Sequence, residues 1–314
     1  MNKLVPRQII YQKKIFYLYF KSFFPKKIDS IILNKLKNKL NVERIFKIFT
    51  VPKARIGLYL CVKYILKDVE KKKVIMSPYT IFDMVNKVIQ AGGQPVFIDN
   101  ESKYSLNLNI KDLKKKIDNK TAALIITHHS LNQNNFNEIL KICKQNNIKL
   151  IQDLAISFNS KYKNKNIYNY GDFSICSFNL FKFVSSIFGG LIITKDKNFA
   201  KFYDKQINKE KVYNFVTLRK YFFKGLKFKI LTNSFLFKYF FFWIVKFGSL
   251  LKIRIIINAL QNDPKPFFQK YFDNKELISM NKSQLDLVIN QIDSSNQKRE
   301  IREKNYNSYL NKIK

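Results

Sequence analysis

Short apolar runs alternate with amphipathic stretches through the middle of the chain, from about residue 51 to residue 194. Six of these runs are short, contain β-branched or aromatic residues and predict strands. They are Val74–Met76, Pro95–Ile98, Ala122–Thr127, Ile148–Ile151, Phe173–Phe178 and Leu191–Thr194. Between them, apolar residues recur at helical spacing, as at Leu58, Val62 and Ile65. Strands that alternate with helices predict an α/β fold with a largely parallel sheet covered by helices.

Two residues near the ends of predicted strands have the chemistry of a site. Ligands of such sheets bind beyond the carboxyl ends of the strands, and Asp153 follows one strand in this way. Taken alone, an Asp at this place is usually a turn or helix-cap residue. Lys182 follows a second strand and lies between apolar stretches, ahead of Gly189 and Gly190, where a surface lysine is not expected. Pyridoxal 5'-phosphate (PLP) needs a lysine that binds it, a carboxylate for its ring nitrogen and donors for its phosphate.

The segment from Arg55 to Thr194 resembles the DegT/StrS family of PLP-dependent (fold type I) sugar aminotransferases. The similarity lies in segments that occur in the family's order and spacing, among them IKLIQDLAISFNSKY around Asp153 and GDFSICSFNLFKFVSSIFGGLIIT around Lys182. It implies a three-layer αβα large domain with a mainly parallel sheet, followed by a shortened C-terminal small domain. It also implies a homodimer that transfers an amino group, from a donor such as glutamate, to a nucleotide-linked keto-sugar in surface-glycan biosynthesis.

The resemblance assigns roles to three polar side chains. Lys182 would bind the cofactor and transfer protons during the reaction. Asp153 would bind the pyridinium nitrogen. Ser177 would donate a hydrogen bond to the cofactor phosphate.

A predicted helix start and two aromatic residues complete the expected cofactor site. The backbone at Ala54, Arg55 and Ile56 would help to bind the phosphate, because helix N-termini favour anions. The Arg55 side chain would either contact the phosphate or be a solvated residue at the helix start. Tyr79 would lie in the cofactor-side wall with Phe82 as a competing ring, and core packing is the alternative for both.

Some positions depart from the family pattern. A family glutamine or histidine is replaced by Ile156, and a family asparagine and arginine are missing around 277–280. Asn179, Leu180 and Phe181 replace the residues that usually precede the lysine. These departures leave open an alternative, a non-catalytic homologue that acts as a membrane-associated binding or scaffold protein. We expect His128 to be a structural or substrate-pocket residue and expect no metal site.

The composition limits which binding partners and which cellular compartment we expect. The formal net charge is +36, but the basic residues are mostly lysines spread along the whole chain, so a specific nucleic-acid partner is not expected. The same charge would attract anionic lipid surfaces. The three cysteines, Cys61, Cys143 and Cys176, are isolated in apolar surroundings and predict reduced thiols in a cytoplasmic protein, which could also associate with the inner face of the membrane.

The segment Phe235–Leu251 is dense in aromatic and aliphatic residues but contains Lys238 and Lys246. It could be a buried or dimer-interface helix, a helix lying on a membrane surface or, least compatible with the lysines, a spanning helix. We predict an N-terminal helical segment (1–50), a PLP-binding domain (51–230), a hydrophobic connection (231–280) and the start of the small domain (281–314).

Overall fold

A computed structural model describes residues 24, 26–129, 135–180, 182–212, 215–231, 233–253, 271–293 and 295–313. Phe181 and the first 23 residues of the predicted N-terminal segment therefore lie outside the described residues.

A seven-stranded sheet forms the centre of the structure. Its strands in chain order are β1 (Lys47–Val51), β2 (Lys73–Met76), β3 (Gln94–Phe97), β4 (Thr121–Thr127), β5 (Lys149–Asp153), β6 (Phe173–Ser177) and β7 (Gly190–Thr194). Their spatial order is β1-β7-β6-β5-β4-β2-β3. The pairs from β3 to β6 are parallel, whereas β7 runs antiparallel to both β6 and β1. All six predicted strands are present, and the mainly parallel α/β fold is confirmed.

Helices cover both faces of this sheet. The helices in the described residues are α1 (Ser30–Lys39), α2 (Ala54–Ile65), α3 (Phe82–Gln90), α4 (Ile110–Lys116), α5 (Phe136–Gln145), α6 (Phe199–Gln206), α7 (Phe215–Leu231), α8 (Ser234–Leu236), α9 (Phe242–Leu250), α10 (Lys282–Ile292) and α11 (Ser295–Ile313). Of these, α1, α4, α5 and α10 pack on one face of the sheet, and α2, α3 and α6 pack on the other. A π-helical turn, Phe237–Phe241, joins α8 to α9. A separate two-stranded sheet pairs β8 (Asn208–Val212) with β9 (Ile278–Ser279).

Successive strand residues face opposite sides of the sheet and so supply two separate cores. Val74 and Met76 of β2 pack with α2, α3 and α6, whereas Ile75 between them packs with α1, α4, α5 and α10. The two cores give the three layers, helix, sheet and helix, that the family resemblance implied.

Two observations bear on the predicted domain boundaries, which remain predictions. Strand β1 crosses the boundary placed at residue 50, because its register pairs Lys47 with Thr194 at the far side of the sheet. Helix α10, placed in the small domain, packs in the core of the large domain through Leu285, Val288 and Ile292. These residues recur at helical spacing, so they form one apolar face directed at the sheet.

The aromatic segment around α9 is not buried within the described part of the chain. Phe235, Phe240, Phe247 and Leu250 are all exposed, while Phe237 is buried. Among the helices in the described ranges, none combines the length and the apolar composition needed to cross a bilayer.

Candidate functional site

A cavity of about 510 Å³ opens at the carboxyl ends of β4, β5 and β6, a volume within the usual range for small-molecule sites. Each of these strands contributes its last residue, Thr127, Asp153 or Ser177, to the lining. The complete lining consists of Lys53, Ala54, Arg55, Pro78, Tyr79, Thr80, Ile81, Met84, Thr127, His129, Asp153, Ala155, Ile156, Ser177, Asn179, Lys182, Phe188 and Gly189. The structure therefore brings together the candidate residues Lys182, Asp153, Ser177, Ala54, Arg55 and Tyr79, but not Ile56.

Asp153 lies at the base of this cavity with only 5% of its surface exposed. Its Oδ1 accepts a hydrogen bond of 3.0 Å from the backbone N–H of Ala155. Burial raises the pKa of the Asp153 carboxyl, while the Ala155 amide and the positive charges of Lys182 and His129 oppose the rise. A cationic N–H group placed in the cavity would stabilise the ionised form of this carboxyl group.

Lys182 reaches the same cavity from the loop that joins β6 to β7. Burial lowers the pKa of its ammonium group, and the Asp153 carboxylate opposes the change. The two groups are therefore close enough to interact electrostatically. An amine with a lowered pKa is a better nucleophile and proton acceptor at neutral pH than an ordinary surface lysine.

Helix α10 holds the loop that carries Lys182. The Gln291 amide accepts a 3.1 Å hydrogen bond from the N–H of Ser185 and donates one of 2.7 Å to its carbonyl. Gln284 Nε2 donates a 3.1 Å hydrogen bond to the carbonyl of Phe188. Both glutamines are buried, and sequence reasoning missed them. Their spacing of seven residues within an apolar helix face was the available signal, because buried amides need specific partners.

The N-terminus of α2 forms another wall of the cavity. Its N-cap residue is Lys53, whose side chain provides no capping hydrogen bond, and its first turn contains no acidic residue. The first N–H groups of a helix have no acceptor within the helix, so an uncapped N-terminus is suited to an anion. Ser177, at the end of β6, lines the same cavity.

A close backbone approach at Gly190 positions this helix start. A Cβ at Gly190 would lie 2.6 Å from the Cys176 carbonyl oxygen and 3.0 Å from the Ala54 nitrogen. Only glycine therefore allows the start of β7 to pack directly beneath the start of α2.

Other candidates have partners outside the cavity or point away from it. The Arg55 guanidinium forms an ion pair with Asp83 of α3. The Ile56 side chain is buried in the core, and its N–H donates to the Lys53 carbonyl at 3.0 Å, so Ile56 is not part of the lining. Tyr79 lines the cavity and is exposed, whereas Phe82 is exposed but does not line it.

The two adjacent histidines have different environments. His128 is buried, with Nε2 3.1 Å from Oε1 of Gln152, and it does not line the cavity. His129 does line it, and its Nε2 lies 2.6 Å from the Tyr79 carbonyl oxygen. Sequence reasoning missed His129, although its place just beyond the end of β4 was a usable signal.

The sequence and the fold can be compared with those of known proteins. Over 148 residues the chain is 31% identical to GDP-perosamine synthase of Escherichia coli O157:H7, which covers 47% of this chain and 40% of that protein. It is 29% identical over 168 residues to the uncharacterized protein MJ1066 of Methanocaldococcus jannaschii, covering 52% and 43% of the two chains. These matches thus span less than half the length of the relatives.

Solved structures share the fold at low sequence identity. E. coli GDP-4-keto-6-deoxy-D-mannose-3-dehydratase with bound hydrated PLP aligns with a TM-score of 0.68 and 14% identity, covering 99% of this chain and 73% of that one. PseC of Helicobacter pylori, an aminotransferase of pseudaminic acid biosynthesis, aligns with a TM-score of 0.54 and 18% identity, covering 62% and 53%.

The sequence profile of one family matches residues 54–214, which include the three strand ends, the lysine loop and the α2 N-terminus that build the cavity. The chain therefore belongs to the DegT/DnrJ/EryC1/StrS aminotransferase family.

Proposed function

We propose that this protein is a PLP-dependent aminotransferase that transfers an amino group from glutamate to a nucleotide-linked keto-sugar. The observation that carries the proposal is the meeting of Lys182, Asp153 and the uncapped N-terminus of α2 in one cavity. A lysine, a buried carboxylate and an anion-binding helix start match the three polar parts of PLP.

The donor set fits the cofactor at each of these parts. Lys182 would bind it covalently, and Asp153 would bind its ring nitrogen, whose positive charge would compensate the burial of the carboxylate. Ser177, with the backbone of Ala54 and Arg55, would bind its phosphate. PLP, when bound, supplies a ring that withdraws electrons from the reacting carbon of the amino-group donor.

The residues of this chain then orient the reactants and move protons. The lowered pKa of Lys182 makes its Nζ a better proton acceptor than an exposed lysine, so it is suited to accept and return a proton. Gln284 and Gln291 fix the backbone of the loop that carries it. Tyr79 and Ile81 border the cavity and are exposed, so they are placed to contact the substrate.

The substrate class is proposed from the relatives. Those with curated names include GDP-perosamine synthases and a UDP-4-amino-4,6-dideoxy-N-acetyl-beta-L-altrosamine transaminase, enzymes named for nucleotide-linked amino sugars. One structural neighbour is described with glutamate joined to PLP, which supports glutamate as the donor. The neighbours include dehydratases as well as aminotransferases, so the shared fold does not by itself select the reaction.

A homodimer in the cytoplasm is part of the proposal. Tyr79, Ile81 and Ile156 leave apolar surface exposed at the cavity, and a second copy of the chain could cover it.

The absorption spectrum of the purified full chain tests the cofactor and the lysine together. We expect PLP to give a visible band that borohydride abolishes, leaving the cofactor attached to the peptide that contains Lys182. Lys182→Ala should lose the band and lower transamination by at least about 10²-fold, because it removes a proton-transfer group. The matched control is Lys197→Ala, which removes an exposed lysine outside the cavity.

Glutamate, aspartate and alanine, added separately, then test the donor through the change in this band. A nucleotide-linked keto-sugar tests the acceptor through the mass of an aminated product. A wild-type protein that stays colourless with PLP would overturn the proposal. A protein that binds PLP at Lys182 but aminates no acceptor would instead favour the hypothesis of a non-catalytic homologue. The replacement of a polar family residue by Ile156 supports that hypothesis.

A further inference from the structure

The segment 233–253, which contains α8, the π-helical turn and α9, exposes many large apolar side chains. Phe240 is 57% exposed, Ile244 54%, Phe247 53% and Leu251 72%. In α10, by contrast, all of the apolar side chains are buried. A helix that is apolar on most sides normally lies in a protein interior or in lipid. Within the described part of the chain, most large apolar side chains of this segment are instead exposed.

The charge of the surrounding sequence is of one sign. From Lys211 to Asn262 the sequence contains no Asp or Glu. Its basic residues are Lys211, Arg219, Lys220, Lys224, Lys227, Lys229, Lys238, Lys246, Lys252 and Arg254. An acceptable partner must therefore carry negative charge as well as apolar groups.

Lysines are interleaved with aromatic rings in the segment itself. Lys238 Nζ lies 5.0 Å from the centroid of the Tyr239 ring, and Lys246 Nζ lies 5.2 Å from that of Trp243. Aromatic rings, aliphatic side chains and lysines together are typical of helices that lie in the interface of a bilayer.

We propose that segment 233–253 docks this protein on an anionic lipid surface. Such a surface offers hydrocarbon for Phe240, Phe247 and Leu251 and phosphate for the neighbouring lysines. Nucleic acid would supply the phosphates but no apolar phase for leucine and isoleucine. In a two-fold symmetric dimer, the basic segment of one copy would face the same segment of the other copy. Neither segment contains an acidic residue that could pair with the lysines.

The geometry favours a helix lying along the surface. From Ser234 to Leu250 the helical segment contains 17 residues, or roughly 26 Å at the usual rise per residue, which is short of a bilayer core. Lys238 and Lys246 can keep their ammonium groups at the phosphate level while their aliphatic stems cover apolar surface. The proposal goes beyond the proposed aminotransferase activity and does not depend on it.

Co-sedimentation with vesicles tests the docking without any substrate. The full chain, with PLP present, is mixed with vesicles of phosphatidylcholine alone or of phosphatidylcholine and phosphatidylglycerol at roughly three to one. We expect binding to the mixed vesicles. A triple variant, Phe240→Ser, Phe247→Ser and Leu251→Ser, should bind at least about tenfold more weakly, because it removes the side chains that would enter the bilayer.

A matched triple control, Ile31→Ser, Tyr104→Ser and Tyr309→Ser, removes exposed apolar residues elsewhere and should bind as the wild type does. A charge variant, Lys238→Gln and Lys246→Gln, should weaken binding about fivefold per lysine. Its control, Lys111→Gln and Lys115→Gln, removes two exposed lysines elsewhere and should bind more tightly than that variant.

Folding and self-association are measured on the same proteins by circular dichroism and sedimentation velocity. The proposal would be overturned if wild-type protein stayed in the supernatant with the mixed vesicles. It would also be overturned if the triple serine variant of segment 233–253 were folded and bound as tightly as wild type. If neither wild type nor the triple variant bound vesicles, and only wild type formed an oligomer, the surface would be assigned to a second copy of the chain instead. The PLP spectrum is read separately, so failure of the docking and failure of the enzyme proposal remain distinguishable.

Discussion

Burial shifts the pKa values of acidic and basic residues in opposite directions. It raises the pKa of Asp153 and lowers that of Lys182, and each charge partly offsets the effect on the other. Both groups line an open cavity, where a ligand can supply further compensation. His128, by contrast, is enclosed by the protein and has a neutral partner, Gln152. The free energy of unfolding should therefore be sensitive to protonation at His128.

Burial lowers the pKa of His128 to about 4, whereas an unfolded histidine has a pKa of about 6.5. Between these values the unfolded chain binds a proton that the folded chain does not, so folded stability must fall as the pH falls. From pH 7 to pH 5 this group should cost about 2 kcal/mol. Urea unfolding of wild type and His128→Gln at the two pH values measures the difference, and the variant should lose less stability on acidification.

His129→Gln is the matched control, because it removes the other histidine and keeps His128 with its partner. It should retain the acid-dependent loss of stability that His128 causes. An equal pH dependence in wild type and His128→Gln would show that His128 is not the group responsible.

The candidate cofactor site depends on how two elements approach each other. The start of β7 lies against the start of α2 at Gly190, and the preceding loop is tied to α10 through Gln284 and Gln291. The end of the cavity at the α2 N-terminus is thus fixed by contacts between elements that are distant in sequence. The same contacts hold the loop that carries Lys182.

Gly190→Ala tests this approach. The added methyl group would meet the Cys176 carbonyl and the Ala54 nitrogen, so β7 or α2 must shift. We expect a loss of about 2 kcal/mol in the free energy of unfolding and roughly a tenfold loss of PLP affinity, since the backbone amides proposed to bind the phosphate would be displaced. Urea unfolding and a spectroscopic titration with PLP measure the two quantities.

Gly92→Ala is the control for this variant. Its φ of +88° makes alanine unfavourable, but a Cβ there would meet nothing within 4 Å. This variant should lose about 1 kcal/mol of stability and keep its PLP affinity. Equal PLP affinity in Gly190→Ala and wild type would contradict the proposed role of the α2 N-terminus.

At the scale of the whole molecule, segments from both ends of the chain close one face of the sheet. Helices α1 and α10 pack together, and both belong to the core that also contains Leu191 and Ile193 of β7. A carboxyl-terminal part that folded as a separate domain would not share this core. We therefore expect α10 and the sheet to unfold together.

Leu285→Ala tests this cooperativity. Leu285 is fully buried in the shared core, so the variant should lose about 2–5 kcal/mol of stability. Circular dichroism of the backbone and the absorbance of bound PLP should report one transition, shifted equally for both probes. Asn290→Ala, an exposed substitution on the same helix, should change stability by no more than about 0.5 kcal/mol. Two separate transitions would support a domain that begins at residue 281.

The sequence alone determined six strands of the sheet and the candidate residues for the cofactor site. Short runs of apolar residues are a local property, and they were sufficient to predict β2 to β7. Asp153 and Lys182 could be selected because each follows a predicted strand, and parallel strands place their carboxyl ends at one edge of the sheet. Ser177 lies within the predicted strand Phe173–Phe178, and only the family resemblance pointed to it. The segments of sequence around Asp153 and Lys182 carried the family resemblance.

Only the tertiary structure decided which of the other candidates meet in the cavity. Neighbours that are distant in sequence pair Arg55 with Asp83 and surround the Ile56 side chain in the core. They also give His128 and His129 different environments. The placement of α10 against the lysine loop likewise depends on packing across more than 90 residues. Side-chain burial, and with it the pKa of a charged group, is set by these distant contacts, so a local pattern cannot specify it.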